Sequence, residues 1–571
     1  MGGPDVPLEV IPLHPVAAGA NEVERAFARL EQEILHHVFQ ADPGWAIFRG
    51  LHAYDGYLPL ITPEETGIWV RGSQELLVQL ASFDREKLSR ARQLDLNILR
   101  LRLERELFYQ VDFPSPDLSP LHYLFPIQLT EFVSRNYASA DRRAEAVVRQ
   151  LAETPRFLRI GIERLRGPLP QPFVTLGLDI LKGLPPHFEG AVAFVRENAP
   201  HLGAPALESK GKALEALHAF RGHLETQLPR ADNSYRLGPH RFQKLLRVTD
   251  GLTMSWKDLL LEGQADLRRN QDRLASLARS VRPPATAVGL VGSLAEDTPS
   301  AETLMEEARG MVAELREFVV AKDLASLPMD DPCRVEESPP ADRAFAFASM
   351  RSAGPFEDGN AEAAYRLTLP DPDASSEEQR QWLRSLNRPR LRNTTAHEVF
   401  PGHYLQFLWT RRSHTSPTQK AFPSGTFSEG WGHYAEQLVI EQGYRKDDPR
   451  QEAAQLQDAL LRDCRLLASI AMHAQGKDLP EATQIFVTEG YMEPFPAERE
   501  ARRGTFNPSY FMYTLGKLRI LEARRAFFER NPKGTLRQFH DRLLSQGAPP
   551  VGLLRAIALG EEFPGGSPSG S

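Results

Sequence analysis

The sequence predicts a mainly α protein with many helices, and three observations support this. Apolar residues recur at steps of three and four through much of the chain, as in amphipathic helices packed on a core. Alternating strand patterns are few and short, and Ala363–Leu369 is the best of them. No segment reaches the roughly 18 consecutive apolar residues of a membrane span. We therefore expect a large multi-helix fold with few short strands.

Helix starts and proline-rich connections indicate how the chain is divided. Asn21 is suited to cap a helix in which Phe27, Ile34 and Val38 share one face. The proline-rich segment from Leu327 to Asp342 is typical of an exposed linker. The expected divisions are an N-terminal extension (1–20), a helical N-terminal region (21–325), a linker (326–345), a catalytic region bearing the site (346–563) and a disordered tail (564–571).

Composition excludes several classes of protein. With 571 residues, 41% hydrophobic and 25% charged, the chain is typical of soluble globular proteins. A net charge of −7 gives no reason to expect nucleic acid or an anionic membrane as a partner. Two cysteines and the lack of a secretory signal pattern favour a cytoplasmic location. There is no phosphate-binding glycine loop, and the oligomeric state stays open.

The most informative stretch is the heptapeptide from His397 to His403, which reads HEVFPGH. Two histidines and an adjacent glutamate, here Glu398, are what a zinc hydrolase uses as ligands and general base. In the common H-E-x-x-H motif the histidines are four residues apart, but here that position is Pro401. On a straight helix, a spacing of six leaves the side chains about 120° apart, so they would not meet at one ion.

Pro401 offers a way to bring the two histidines together. It has no N–H and would clash with the carbonyl of His397, and Gly402 adds backbone freedom. We therefore predict a kinked metal-binding helix, in which a kink or bulge returns His403 to the face of His397. Glu398 would then be placed to take a proton from a water on the metal.

A second segment follows that fits a metal site without distortion. Glu429, His433 and Glu436 are spaced i, i+4 and i+7, which places them on one helical face, and Trp431 can pack in the core. We predict Glu429 as the third ligand, with His433 and Glu436 as residues that support the ligands.

Simpler interpretations of the same residues remain open. Thr395 and Glu398 also have the spacing of a capping box, in which Glu398 would only bind a backbone amide. Pro401 and Gly402 could simply end a helix. His433 fits a structural role better than a ligand role.

The two motifs resemble a known family. H-E-x-x-P-G-H-x-x-Q, here His397 to Gln406, and E-G-W-x-x-Y-x-E, here Glu429 to Glu436, look like those of the bacterial domain-of-unknown-function 885 (DUF885) proteins, which are similar to gluzincin-type zinc metallopeptidases. Five further segments resemble the family: Tyr235–Pro239, Ala361–Leu367, Arg465–His473, Glu500–Arg503 and Tyr513–Gly516.

The resemblance implies a role for each matching residue. Zinc (Zn²⁺) would be held by His397, His403 and Glu429, with Glu398 as the base. It also implies Tyr513 and His473 as candidates to stabilise an oxyanion and Arg503 to orient a substrate carboxylate. These last three are identified by the resemblance alone.

The sequence departs from the family pattern at three places. Tyr404 stands where a second histidine is common, and Gly432 where alanine is usual. The residues before the closing tyrosine, Asn507 to Tyr510, also differ, which makes substrate specificity doubtful.

Three functions are compatible with these residues. The first is a zinc-dependent hydrolase of peptide bonds, in which Glu398 activates a water. The second is a metal-assisted hydrolase of a small non-peptide amide. The third is a helical binding protein with a structural or degenerate metal site, which we rank last because Glu398 is intact.

Overall fold

Helices make up nearly all of the regular structure, as predicted. The computed structural model describes residues 6–14, 20–281, 283–328, 333–339, 343, 347–357, 363–412 and 415–564. The tail expected to be disordered therefore lies, from residue 565 onward, outside the described residues, as do residues 1–5 and 15–19 of the expected N-terminal extension.

The first half of the chain is helical throughout. Its helices are α1 (Glu22–Ala41), α2 (Pro43–Phe48), α3 (Pro63–Ala81), α4 (Arg90–Leu107), α5 (Ser115–Leu118), α6 (Leu121–Leu124), α7 (Thr130–Ser134), α8 (Ala140–Arg164), α9 (Gln171–Asn198), α10 (Gly203–Gln227), α11 (Gly238–Asp250), α12 (Trp256–Ser280), α13 (Ala287–Ser293) and α14 (Leu304–Ala321). Asn21 caps α1 as predicted, since its side chain accepts a hydrogen bond from the Glu24 N–H at 2.8 Å.

The second half adds three strands and further helices. The strands are β1 (Cys333–Glu337), β2 (Ala348–Arg351) and β3 (Ala363–Leu367). The helices are α15 (Ser376–Ser385), α16 (Arg388–Glu398), α17 (His403–Arg412), α18 (Pro417–Ala421), α19 (Gly425–Glu441), α20 (Pro449–His473), α21 (Leu479–Thr488), α22 (Pro494–Phe506), α23 (Met512–Arg530), α24 (Leu536–Leu544) and α25 (Leu554–Leu559).

The three strands form one small sheet in the order β1-β3-β2. β3, the strand that the sequence predicted, is buried along its whole length, and it pairs in parallel with β1 and antiparallel with β2. The segment 326–345, which we expected to be an exposed linker, contains β1. Val335 of β1 is buried opposite Tyr365, which is a tertiary contact that the short, proline-flanked pattern did not indicate.

One hydrophobic core connects the two regions of the chain. It contains residues of both, from Val6, which lies in the expected N-terminal extension, to Phe563 near the end of the described residues. The helices α12 and α20 pack together across it, as do α19 and α23. The helices that carry the site are therefore held by partners from both regions.

The closest helix contact lies where α19 crosses α23. A Cβ on Gly516 would lie 2.0 Å from the Thr426 carbonyl oxygen, and a Cβ on Gly430 would lie 2.4 Å from the Cα of Gly516. Only glycine lets the two backbones approach this closely. Gly430 follows Glu429 and Gly516 lies one turn after Tyr513, so this crossing fixes the backbone next to both of these side chains.

We expect Gly516→Ala to lower the free energy of unfolding by about 3 kcal/mol, because the added methyl group meets backbone atoms that cannot rotate away. Urea denaturation followed by circular dichroism measures this. Gly310→Ala is a suitable control, since a Cβ at Gly310 of α14 meets nothing within 4 Å. A Gly516→Ala protein within about 0.5 kcal/mol of wild type would contradict the prediction.

Candidate metal centre

The two histidines of the heptapeptide belong to two separate helices. α16 ends at Glu398, where the Val399 N–H still bonds to the Thr395 carbonyl at 2.8 Å, and α17 begins at His403. The predicted kink is therefore a complete break of four residues. The ring centres of His397 and His403 lie only 4.6 Å apart across it.

Contacts within the break explain its shape. A Cβ on Gly402 would lie 1.8 Å from the His397 carbonyl oxygen, so this position needs glycine. The indole N–H of Trp431 donates to the Pro401 carbonyl at 2.8 Å. The second motif thus holds the turn of the first.

The capping-box interpretation of Glu398 is wrong. α16 begins at Arg388 with Asn387 as its cap, so Thr395 lies inside the helix. The Thr395 hydroxyl donates to the Leu391 carbonyl at 2.7 Å instead. Glu398 is at the end of the helix and is available for chemistry.

His397, His403 and Glu429 converge on one point. Their ligand atoms all lie within 4.8 Å of one another. Glu429 Oε2 is 3.6 Å from His397 Nε2 and 3.7 Å from His403 Nε2. These distances exceed those of a good hydrogen bond. They are close to the spacing of about 3.4 Å between two ligands of a tetrahedral zinc ion with bonds of about 2.1 Å.

Glu436 fixes the orientation of His397. Its Oε1 accepts a hydrogen bond from His397 Nδ1 at 2.7 Å, which leaves Nε2 free for a metal. Arg462 and Asn393 bind the same carboxylate at 2.7 and 2.9 Å. The predicted supporting role of Glu436 thus has a direct geometric basis.

The charges of the two histidines favour the ionised form of Glu429. Burial alone would raise the pKa of Glu429, but His397 and His403 lower it well below its usual range. Burial likewise opposes ionisation of His397, yet Glu429 and Glu436 raise its pKa to about 9. Two imidazoles and a buried carboxylate are donors that suit zinc, so the residues fit this ion.

Gly432 provides room for the His397 ring. A Cβ at this position would lie 2.6 Å from His397 Cε1 and 2.9 Å from Nε2. Glycine in place of the usual family alanine therefore gives this imidazole its space. Tyr404, another departure, is buried, and its ring packs against that of Phe400.

Glu398 lies beside the ligands and is positioned by the sheet. Burial raises the pKa of its carboxyl group, although His403 and His397 act in the opposite direction. The backbone of Met350 in β2 hydrogen-bonds to the same carboxylate. A carboxylate with a raised pKa is suited to accept a proton.

Tyr513 lies on α23, which packs against α19, the helix that carries Glu429. Its side chain is buried, and the guanidinium carbon of Arg465 lies 4.9 Å from its ring centre. Burial and the nearby charge of Glu429 both raise the pKa of the phenol. Tyr513 is therefore a neutral hydroxyl donor.

His473 lies elsewhere. Its Nε2 is 2.9 Å from the Gly504 carbonyl, and its ring packs against those of Tyr235 and Phe242. Burial lowers its pKa to about 4. None of its contacts among the described residues involves the three candidate ligands.

Arg503 is exposed, with its guanidinium carbon 5.6 Å from the ring centre of Tyr510. The neighbouring Arg465 is already paired with Glu500 at 2.8 Å.

His433 is completely buried and is not one of the three converging residues. Its Nδ1 is 3.8 Å from Glu436 Oε2, and burial together with Lys517 lowers its pKa to about 3. It is a neutral, buried residue beside Glu436.

A second group in the described part of the chain has metal-binding residue types: His14, Glu31 and Asp95. The Arg92 side chain already supplies the positive charge there, because its Nη1 is 2.6 Å from Glu31 Oε2 and 2.7 Å from His14 Nδ1. This group is an internal ion cluster that ties the N-terminal segment to α1 and α4.

Sequence reasoning missed three residues of the site: Asn393, Arg462 and Met350. Arg462 lies four residues after Asp458 on α20. Asp458 accepts a hydrogen bond from the Asn393 side chain, and Arg462 pairs with Glu436, which Asn393 also contacts. That spacing was visible in the sequence, whereas nothing there linked Met350 to Glu398.

Comparisons with known proteins identify relatives of this fold. No curated protein matches the chain. A structure described as "a putative lipoprotein of unknown function" from Shewanella oneidensis is similar, with 22% identity, a TM-score of 0.80, and coverage of 93% of this chain and 99% of that chain. Another, "the putative lipoprotein" from Colwellia psychrerythraea, has 16% identity, a TM-score of 0.78, and coverage of 95% and 99%. These likenesses show a shared fold.

The expected cytoplasmic location is contradicted by these two structures. Both proteins are described as putative lipoproteins, so composition and cysteine count were insufficient grounds for that prediction. Among the described residues, no helix has the length and apolar character needed to cross a bilayer.

The family resemblance is confirmed over most of the chain. The family model described as "Bacterial protein of unknown function (DUF885)" matches residues 43–557, which include both motifs and every candidate ligand. This chain is a member of the bacterial DUF885 family.

Proposed function

We propose that this protein is a zinc-dependent hydrolase of peptide bonds, similar in its chemistry to gluzincin-type metallopeptidases. The observation that carries the proposal is the meeting of His397, His403 and Glu429 beside Glu398. Within the described residues three ligands converge rather than four, which is the pattern of catalytic zinc sites.

Each side chain has one task in this proposal. Bound zinc supplies a Lewis acid that polarises a carbonyl and makes a water more acidic. Glu398 takes a proton from the attacking water and passes it to the leaving amine. Tyr513 donates a hydrogen bond to the carbonyl oxygen as negative charge develops on it. Arg503 binds a substrate carboxylate.

The position of β2 favours a peptide over a small amide. Among the described residues β2 is an edge strand that pairs only with β3, and its other edge lies beside α16, where the Met350 backbone bonds to Glu398. An extended peptide can add to such an edge by backbone hydrogen bonds. Hydrolysis of a non-peptide amide uses the same ligands and base, and it is the second candidate.

Zinc content tests the ligand assignment. We expect one zinc per chain in the wild type, and less than one tenth of that in His397→Ala and Glu429→Gln after dialysis, because each variant loses one of three ligands. His201→Ala and Glu441→Gln are matched controls on the surface and on α19. Zinc that remains stoichiometric in both ligand variants would exclude this site.

Substrate panels separate the candidate functions. Zinc-loaded protein is offered a mixture of peptides and a mixture of acyl-amino acids, and new amines are measured. Cleavage of peptides supports the first proposal, and cleavage of acyl-amino acids alone supports the second. If zinc binds stoichiometrically and neither mixture is cleaved, the site is structural or degenerate.

A further inference from the structure

An aromatic cavity lies apart from the metal ligands, between α6, α9 and the connection from α22 to α23. Its volume is about 160 Å³. Six aromatic rings line it: Tyr109, Phe113, Phe125, Phe173, Tyr235 and Phe506. Phe125 is 46% exposed, so the cavity reaches the protein surface at this ring. A protein cavity of about 150 Å³ lined by apolar side chains is large enough for benzene.

Two buried polar atoms belong to residues that line the cavity, and neither has a hydrogen-bond partner. They are the hydroxyl oxygen of Tyr235, a residue only 1% exposed, and Nε2 of His122. Buried polar groups are almost always paired, so such atoms at a cavity call for a ligand or a water. The Thr505 hydroxyl, by contrast, is already bonded to the Arg502 carbonyl at 2.7 Å.

Contacts of the cavity wall lead toward α23, the helix that carries Tyr513. Tyr235 meets the ring of His473 edge-on at 5.8 Å, and His473 in turn binds the Gly504 carbonyl. From Gly504 the chain continues to Tyr510, whose ring centre lies 6.5 Å from that of Tyr513. His473 therefore packs against the residues that line this cavity.

We propose that this cavity binds an aromatic ring carrying one hydrogen-bonding group, as in phenol or a tyrosine side chain. The ring fills the apolar volume, and its hydroxyl pairs with Tyr235 or His122. Two sources have this chemistry: a side chain of the substrate, which rests on the proposed function, and a free phenolic ligand, which does not.

Calorimetric titration with phenol and toluene tests the cavity independently of catalysis. We expect saturable phenol binding that Tyr235→Phe weakens about five-fold, while toluene binding stays unchanged, because only one hydrogen bond is lost. Tyr54→Phe is the matched control. It also removes a buried hydroxyl that has no hydrogen-bond partner, but Tyr54 does not line the cavity. Ser119→Leu, which fills the cavity, should abolish binding of both probes.

The absence of saturable phenol binding to wild type would overturn the proposal and leave ordered water as the occupant. Equal phenol affinity in Tyr235→Phe and wild type would overturn the role of the hydroxyl. This second result remains informative even if Ser119→Leu fails to fold.

Competition identifies the source of the ring. If the protein cleaves peptides, a tyrosine-containing substrate should be preferred at least five-fold over its alanine counterpart, and phenol should inhibit it competitively. If phenol binds but does not compete, the cavity serves a free aromatic ligand. If no peptide is cleaved, phenol binding still stands, so failure of the hydrolase proposal is distinguishable from failure of this one.

Discussion

Glu398→Gln should reduce hydrolysis about 10³-fold while the zinc content remains one per chain. Glutamine keeps the size and shape of the side chain, but it cannot accept the proton that the attacking water must lose. It also retains an oxygen that can accept the hydrogen bond from the backbone of Met350. The fold and the three ligands are therefore expected to remain intact.

The rate is measured with zinc-saturated protein on whichever substrate the panels identify, and the zinc by elemental analysis of the same sample. Glu306→Gln is the control, because this side chain is 80% exposed on α14. A Glu398→Gln protein that retains more than about one tenth of the activity would remove Glu398 from the role of base. Loss of zinc together with activity would show that Glu398 supports the ligands instead.

Gly402→Ala should lower the free energy of unfolding by about 3 kcal/mol or more and remove the capacity to hold zinc. The new methyl group would lie 1.8 Å from the carbonyl oxygen of His397 and 2.5 Å from that of Ala396. Both are backbone atoms at the end of α16, so relief requires the turn itself to open. An open turn separates the two histidines.

Urea denaturation and zinc analysis measure the two effects on one preparation. Gly183→Ala is the matched control, because a Cβ at that position of α9 meets nothing within 4 Å. Stability close to wild type with full zinc retention would show that the break between α16 and α17 accommodates a side chain. Loss of stability with zinc retained would separate the turn from the metal centre.

The sequence was sufficient to predict the helical class and the candidate ligands. Apolar spacing identifies helices because it reflects burial of one face, and the cap at Asn21 appears in the structure as expected. The residue types at His397, His403 and Glu429 carry their own chemistry, so they could be named before any geometry was known.

The sequence did not predict the pairing of the strands, and it predicted the path of the heptapeptide only in part. β1 is defined by its partner β3, thirty residues later along the chain, and no local pattern marks it. The metal-binding helix was predicted to kink, but it ends. This end is the simpler alternative that Pro401 and Gly402 left open. The sequence did not indicate that the Trp431 indole, from another helix, bonds to the Pro401 carbonyl.

The sequence by itself therefore determined the helical class and which side chains are able to bind a metal. Only the tertiary structure decided that they meet, because their distances depend on contacts between segments far apart in the chain. Glu436 orients His397 from α19, Gly430 and Gly516 let α19 and α23 approach, and Met350 binds Glu398 from the sheet. Local spacing reports the face of a helix, whereas a site with several ligands requires the packing of several helices.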